Sequence, residues 1–319
     1  MPVFVIATQV LLPVSLLAWL ALFPAGGILA YGLQLLSVAS VLLGIGLAAL
    51  WSMPPYWVPY VYGLILALII ARHLATRRVR ASTLWSEGWV NTALIVAVVG
   101  LGLAGSYLSA LALKGRSLPD SAIVDIAPPF GPGRYLVAHG GSTEMVNIHL
   151  RTLDPSVERY RPWRGQSRAL DIFRITPAGL HVDGLWPADP ARYETFGAPV
   201  LAPCSGTVAR LVDDLPDMRV PEMDRENMAG NYAAIDCGGF HVILAHLRNG
   251  SIRVAPGDRV ETGALVAEMG NSGNSSEPHL HVHAQRGLPD EAPLGGEPLG
   301  LTINGRFPVR NDRIRVSVP

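Results

Sequence analysis

Long apolar segments occupy the first third of the chain, and short alternating segments occupy the rest. The apolar segments cover residues 3–23, 28–51, 56–71 and 89–113, and no Asp, Glu, Lys or Arg occurs between Met1 and Ala71. A helix needs about 20 apolar residues to cross a bilayer, so the pattern predicts about four membrane-spanning helices in residues 1–113. A soluble helical core is disfavoured because these segments have no polar face to present to water.

Basic residues between the third and fourth segments indicate an orientation. They are Arg72, Arg77, Arg78 and Arg80. Because loops rich in Lys and Arg stay on the cytoplasmic side, we expect this loop in the cytoplasm and everything after Lys114 outside it. The first residues have no basic cluster, so we do not expect a cleaved signal peptide there.

The remainder of the chain has the pattern of an all-β domain. Residues 114–132 are rich in Pro, Gly and Ser and predict a linker. From 133 to 319, short apolar runs alternate with turn residues, which predicts strands and no helices. The runs cover 135–138, 169–175, 200–202, 207–212, 232–235, 241–245, 264–268 and 279–283, and polar residues 213–228 predict a mobile loop.

Charge and cysteine content narrow the classes of function. The formal net charge is zero, and no basic patch with interleaved aromatic residues predicts nucleic-acid binding. Both cysteines, Cys204 and Cys237, lie in the β domain. In an oxidising compartment they could form a disulfide, and the alternative is a pair of buried free thiols.

Histidines dominate the candidate chemistry. Residues 270–278 have loop composition, and a strand follows in which residues two apart share a face, so His279, His281 and His283 lie on one side. His246 stands near the end of another apolar run, and Asp171 lies in a further β-like segment. One Asp and two His suit a zinc ion that keeps an open position for water.

These residues form part of a longer series of motifs. The series comprises Asp171, residues 196–203 with 205–208, Gly230-Asn231, Ala245-His246-Leu247, residues 254–260, Gly263, residues 270–273 and Pro278-His279-Leu280-His281. In this order the motifs resemble the lysostaphin-type (LytM-like) zinc metallopeptidases, which cut the peptide part of bacterial peptidoglycan. The resemblance implies the all-β fold of that family (a duplicated hybrid motif), a Zn²⁺ cofactor and a peptidoglycan peptide as substrate. With the predicted spans, it implies a multi-pass protein of the bacterial inner membrane whose C-terminal domain is periplasmic.

The resemblance also implies roles for single residues. Asp171 and His281 would bind zinc, while His246 and His279 would handle protons and stabilise the tetrahedral intermediate. The family has a further zinc-ligand histidine four residues before the aspartate, where this chain has Ser167. We expect His149, placed on a predicted strand upstream of Asp171, to replace it. His181 and His283 are the next candidates for this third ligand.

Three other functions stay open. The first is a non-catalytic relative that binds the wall or activates another hydrolase, as the serine at position 167 allows. The second is a membrane scaffold in which the helices do the work and the β domain anchors them to the wall. A Ser-His-Asp hydrolase built from Ser272 or Ser275 with His246 is the third, although no nucleophile-elbow spacing supports it.

Overall fold

The computed structural model describes residues 2–76 and 88–317. The chain divides into two compact units, Met1–Lys114 and Gly115–Pro319. The cytoplasmic loop predicted from charge falls partly outside the described residues, because Arg77, Arg78 and Arg80 lie between 77 and 87.

The N-terminal unit is built from apolar helices. They are α1 (Pro2–Val5), which continues through a π-helical segment (Ile6–Leu11) into α2 (Leu12–Leu22), then α3 (Ile28–Ala48), α4 (Val58–Ala75) and α5 (Trp89–Lys114). Four stretches within the described residues are long and apolar enough to cross a membrane: Val3–Leu22, Ile28–Ala48, Val58–Ala75 and Thr92–Lys114. The prediction of about four long apolar helices is confirmed, and their segments begin close to the expected residues.

Helices α3 and α5 approach each other through small residues. A Cβ atom on Gly105 would lie 2.7 Å from the carbonyl oxygen of Ser40, and one on Gly102 would lie 2.7 Å from the Oγ of Ser37. The Ser40 hydroxyl donates to the carbonyl of Gly102 over 2.8 Å. Small residues of this kind let helix backbones pack closely where no hydrophobic effect drives them together.

Replacing Gly105 by Leu should therefore destabilise the helical unit. A side chain there must push the two backbones apart, and such overpacking costs about 1–3 kcal/mol. Gly100→Leu on the same helix is the matched control, because nothing lies within 4 Å of a Cβ at that position. Thermal unfolding of the full chain in detergent should show a lower midpoint for Gly105→Leu only, and equal midpoints would contradict the close packing.

The C-terminal unit is mostly antiparallel β structure, which confirms the predicted fold class. Its strands are β1 (Ile123–Ile126), β2 (Gly133–His139), β3 (Leu170–Arg174), β4 (Pro199–Leu201), β5 (Gly206–Val212), β6 (Asn231–Asp236), β7 (His241–Leu247), β8 (Arg259–Val260), β9 (Leu265–Glu268), β10 (Leu280–Arg286), β11 (Glu297–Ile303) and β12 (Arg313–Val316). The main sheet has the order β12-β2-β3-β10-β7-β6-β5-β8, while β11 pairs with β10 and, in parallel, with β1. Because β1 lies within 114–132, that stretch differs from the linker expected there.

Alternation along the central strands separates a core face from a polar face. Leu170 and Ile172 of β3 and Leu280 and Val282 of β10 point into the main hydrophobic core, which the short β4–β9 sheet covers. Neighbouring residues on a strand point to opposite faces, so Asp171 and the histidines of β10 stand on the other side. This alternation brings the polar residues of two strands to one surface.

Segments between the strands complete the unit. Two 3₁₀ helices, Ile148–Leu153 and Glu158–Arg168, precede β3 where the sequence predicted no helix. Residues 213–228 contain no helix or strand. A disulfide joins Cys204, after β4, to Cys237, after β6. The structure thus contains the disulfide that the oxidising compartment led us to expect.

Candidate metal centre

A buried carboxylate lies at the centre of the polar face. The Oδ1 of Asp171 is 3.0 Å from Nδ1 of His281 and 3.5 Å from Nε2 of His279. Its Oδ2 is 3.5 Å from Nε2 of His149. Antiparallel pairing of β3 with β10 places Asp171 directly opposite His281. Three imidazoles from two segments, the helix Ile148–Leu153 and residues 279–281, therefore converge on one carboxylate.

His149 reaches the site from a 3₁₀ helix. This is a correction, because the sequence placed the residue on a strand, and a single 3₁₀ turn has no periodic signature that a short window can detect. Asn147 caps this helix: its Oδ1 accepts from the backbone N–H of His149 and lies 3.0 Å from the Nδ1 of its ring. The Nδ2 of Asn147 donates to the carbonyls of Gly141 and Ala169, which fixes the direction of the amide.

Ser167 is fully buried and lies within hydrogen-bonding distance of this helix. Its Oγ donates to the carbonyl of Arg164 and lies 2.9 Å from Oγ1 of Thr152, which in turn donates to the carbonyl of His149 over 2.8 Å. The serine at the family's ligand position is thus hydrogen-bonded to the turn that carries His149.

A second chain of hydrogen bonds orients His281 from the opposite side. Gln285 donates through Nε2 to the carbonyls of Gly287 and Pro293, so its Oε1 is left to accept from Nε2 of His283 over 3.3 Å. The Nδ1 of His283 must then accept from Nε2 of His281, 3.1 Å away. The helix Glu158–Arg168 packs against these hydrogen-bonded side chains at Gly165, where a Cβ would lie only 1.9 Å from Oε1 of Gln285.

These hydrogen bonds determine which nitrogens face the carboxylate. His281 donates through Nε2 and His149 through Nδ1, so in their neutral forms each directs a lone pair towards Asp171. Lone pairs 3.0 and 3.5 Å from carboxylate oxygens repel unless a cation lies between them. Ligands of a tetrahedral zinc ion lie about 3.3–3.6 Å apart, and metal-ligating histidines usually donate their second N–H in this manner. The donor set of His149, Asp171 and His281 therefore fits a divalent cation.

Burial sets the charge of these groups. Burial lowers the pKa of His149 to about 4, so its ring is neutral near pH 7. Burial opposes the ionisation of Asp171, but the positive charge and the hydrogen bond of the neighbouring His279 ring hold its pKa well below the usual range. For His279, burial favours the neutral ring, yet Asp171 outweighs it and raises the pKa. The carboxylate is consequently ionised, and His279 is the ring best able to carry a proton.

His246 faces the same space from the end of β7 in a strained conformation. Its φ angle is 59°, unusual for a residue with a side chain, and its backbone N–H donates to the carbonyl of Ala229. The Nδ1 of its ring donates to the carbonyl of Ser272 over 2.9 Å, which leaves Nε2 as an acceptor. Burial holds the pKa of His246 well below its usual value, and its ring centroid is 4.7 Å from that of His279.

Two overlapping sets could hold a metal within the described residues. His149, Asp171 and His281 form one, and His246, His279 and His281 form the other, each with ligand atoms within 4.8 Å of one another. The first set contains a carboxylate that offsets the charge of a dication. The second would require His279 to lose a proton that Asp171 stabilises, so we favour the first.

The alternative candidates from the sequence have other contacts. His181 is buried 3.1 Å from the carboxylate of Glu277 and stacks on Phe173, away from both metal-binding sets. The Ser272 hydroxyl donates to the carbonyl of Leu247. Ser275 is fully buried and bonded to the side chain of Asn271. Neither hydroxyl is exposed to a substrate, which argues against a serine nucleophile.

Sequence reasoning missed three residues that surround the centre. His139 pairs with Asp171 across β2 and β3, and its ring centroid lies 5.7 Å from that of His149. Burial lowers the pKa of His139 to about 3, and its Nδ1 accepts from the guanidinium of Arg310 over 2.9 Å. The three missed residues are thus His139, Arg310 and Asn147, the last of which caps the helix that carries His149. His139 directly follows the predicted strand 135–138, so extending that strand by one residue would have identified it.

Comparison with known proteins identifies part of this unit. Residues 192–293 match the model of Peptidase family M23, and this range includes His246, His279 and His281 but not His149 or Asp171. The chain therefore carries an M23 peptidase domain, which confirms the resemblance drawn from the motifs. No curated protein matches the chain.

Several solved structures are similar to parts of the chain. LytU is 28% identical over 30% of this chain and 60% of its own, with a TM-score of 0.24. Lysostaphin of Staphylococcus simulans is 24% identical over 30% and 36% of the two chains, with a TM-score of 0.23. A zinc-containing peptidase of Vibrio cholerae is 19% identical over 36% and 46%, with a TM-score of 0.22. The chain thus spans less than two thirds of each of these proteins.

Removing the amide that orients His149 should weaken zinc binding. Asn147→Ala deprives Nδ1 of its acceptor, and losing such an outer hydrogen bond typically lowers metal affinity by about 10–100-fold. The exposed Asn249→Ala provides the control. Competition with a chelator measures the affinity, and circular dichroism verifies that both variants are folded. An unchanged affinity in Asn147→Ala would show that this contact does not position a ligand.

Proposed function

Because residues 192–293 form an M23 peptidase domain, we propose that this protein is a membrane-anchored zinc metalloendopeptidase that cleaves peptide bonds of cell-wall peptidoglycan. The observation that carries the proposal is the approach of Nε2 of His149 and Nδ1 of His281 to the two oxygens of the buried Asp171 carboxylate. His149, Asp171 and His281 would hold the ion. The peptidoglycan substrate follows from the family, whose members generally act on the wall.

A zinc ion held at these residues would polarise the scissile carbonyl and acidify a water molecule. The chain's own groups would then move the protons. His246 has a free Nε2, because its Nδ1 is engaged by the carbonyl of Ser272, so it can accept a proton as general base. His279 is favoured in its protonated form beside Asp171 and can donate to a developing negative charge or to the leaving amine.

Outer contacts would keep these two rings in place during the reaction. The Nδ1 of His279 donates to the carbonyl of Glu277 over 2.9 Å, which directs Nε2 towards Asp171. The strained backbone of His246 is held by its bond to the carbonyl of Ala229. Strain of this kind clusters at functional sites because it preorganises a side chain.

The protein would act from a membrane. Four apolar helices have the length and composition to span a bilayer, and the arginines at positions 72–80 favour a cytoplasmic loop between the third and fourth. The C-terminal unit would then lie in the periplasm of a bacterial inner membrane, where wall peptides and oxidising conditions for a disulfide are both found.

Substitution of the histidines should separate metal binding from proton transfer. His149→Ala and His281→Ala should lose zinc and wall cleavage together, because each removes a proposed ligand. His246→Ala and His279→Ala should retain equimolar zinc but lose cleavage by about 100-fold or more, the usual contribution of a general acid or base. Metal content of the full chain in detergent and release of peptides from purified wall are the measurements.

His241→Ala serves as the matched control, since it lies on the same strand as His246 but outside both metal-binding sets. Full zinc content in His149→Ala would contradict the assigned ligand. Loss of zinc in both His246→Ala and His279→Ala would favour the alternative set of three histidines. Zinc binding without any cleavage by the unsubstituted chain would instead favour a non-catalytic domain that binds the wall.

The orientation can be tested separately. A reporter enzyme that is active only in the cytoplasm, fused after Pro319, should give no signal because we expect the C-terminal unit to be outside. A fusion that places the reporter after Thr76, within the arginine-rich loop, should be active. A strong signal from the C-terminal fusion would contradict the proposed topology.

A further inference from the structure

A cavity of about 330 Å³ opens on the same face of the β unit as the metal centre. Its floor is apolar and includes Trp163, Met228, Tyr232 and Leu294, which pack in one hydrophobic cluster with Ala245. Cavities of this size are typical of sites that bind small ligands or side chains. No step of the proposed cleavage reaction involves the residues that line this cavity.

Strand pairing makes the cavity floor continuous with the metal centre. Tyr232, which lines the cavity from β6, is paired with Ala245 of β7, and Ala245 is paired in turn with His281 of β10. Directly opposed residues of antiparallel strands have Cα atoms about 4.5–5.5 Å apart. The part of the cavity lining that belongs to β6 therefore lies two strands away from a proposed zinc ligand, with β7 between them.

Two further segments link the cavity to the catalytic residues. Ala229 lines the cavity and accepts the backbone hydrogen bond of His246. The helix Glu158–Arg168 contributes Trp163 to the cavity, while Ser167 near its other end contacts the turn that carries His149. A peptide bound at the metal centre would thus place a neighbouring side chain at this cavity.

The charge of the rim limits what that side chain can be. Glu226 and Glu291 line the cavity, and neither forms an ion pair within the described part of the chain. Among the described lining residues, none is Lys, Arg or His. Arg210 lies beside Tyr232, but Asp290 engages its guanidinium in an ion pair. An apolar floor with an acidic rim complements an aliphatic stem that ends in a positive charge.

We propose that this cavity is a specificity subsite that receives a peptide side chain with an aliphatic stem and a terminal ammonium group. The stem would lie on the Trp163–Met228 floor, and the ammonium would reach Glu226 and Glu291 at the rim. The inference rests on the proposed peptide substrate, but it concerns recognition of the side chain and not the chemistry of cleavage. The two carboxylates are thus specificity residues.

Direct binding tests the subsite without requiring catalysis. The probes are a terminally blocked Ala-Lys-Ala peptide and the same peptide with its lysine amine acetylated. They are titrated into the full chain in detergent, labelled with ¹³C at the methionine methyl groups. The Met228 signal, assigned with a Met228→Leu variant, reports on the cavity. We expect the amine peptide to shift this signal and to bind about fivefold more tightly than the acetylated one.

Charge variants supply the control. Glu226→Gln/Glu291→Gln should abolish the difference between the two peptides, whereas Glu222→Gln, an exposed residue of the same loop outside the lining, should preserve it. Equal binding of both peptides to the unsubstituted chain, or no shift at Met228, would overturn the subsite. Preference for the amine without wall cleavage would support the subsite but contradict the peptidase proposal. Wall cleavage without a preference for the amine peptide would contradict the subsite and support the peptidase proposal.

Discussion

The ionised carboxylate of Asp171, buried on the polar face of the main sheet, imposes the arrangement of the elements around it. A buried charge without partners is strongly destabilising, because water no longer solvates it. His149 approaches Oδ2 of Asp171 from one segment of the chain, and His279 and His281 approach its Oδ1 from another. Whether a proton or a metal ion lies between these groups, positive charge must be present there, and this requirement connects folding of the unit to its proposed chemistry.

Hydrogen bonds on the outer side of each ring decide what the inner side can do. Asn147 engages the Nδ1 of His149, and His283 engages the Nε2 of His281, so both rings direct acceptors inward. Backbone carbonyls orient the other two: Glu277 binds His279 and Ser272 binds His246. The difference in role between ligand and proton carrier arises from these neighbours, because all four side chains are the same imidazole.

The proposed relocation of a ligand to the Ile148–Leu153 helix would have a structural basis in the same network. Ser167 and Thr152 connect that helix to the segment that leads into β3, so the position of His149 is coupled to that of Asp171. A serine at the family's ligand position is therefore compatible with a complete donor set. The helix Glu158–Arg168 that contains Ser167 also lines the neighbouring cavity, so one element would serve both the proposed metal site and the proposed subsite.

The sequence by itself determined the features that depend on local pattern. Absence of charge over 71 residues indicated apolar helices long enough to cross a membrane, and period-two alternation put His281 and His283 on one strand face with Asp171 on a face of another. Only the tertiary structure decided which of these faces meet. The contact between Asp171 and His281 spans 110 positions and depends on the pairing of β3 with β10.

The sequence offered His149 as the third ligand, but it did not predict the helix that carries this residue, the residues behind it or the cavity. His149 lies in a 3₁₀ turn too short to leave a periodic signal, and His139 enters through strand register. The cavity combines segments near residues 163, 228 and 294 that are brought together by packing alone. Periodicity in the sequence predicts which side of an element a residue occupies. Which residues distant in the chain come into contact depends on burial and hydrogen bonding in the whole fold.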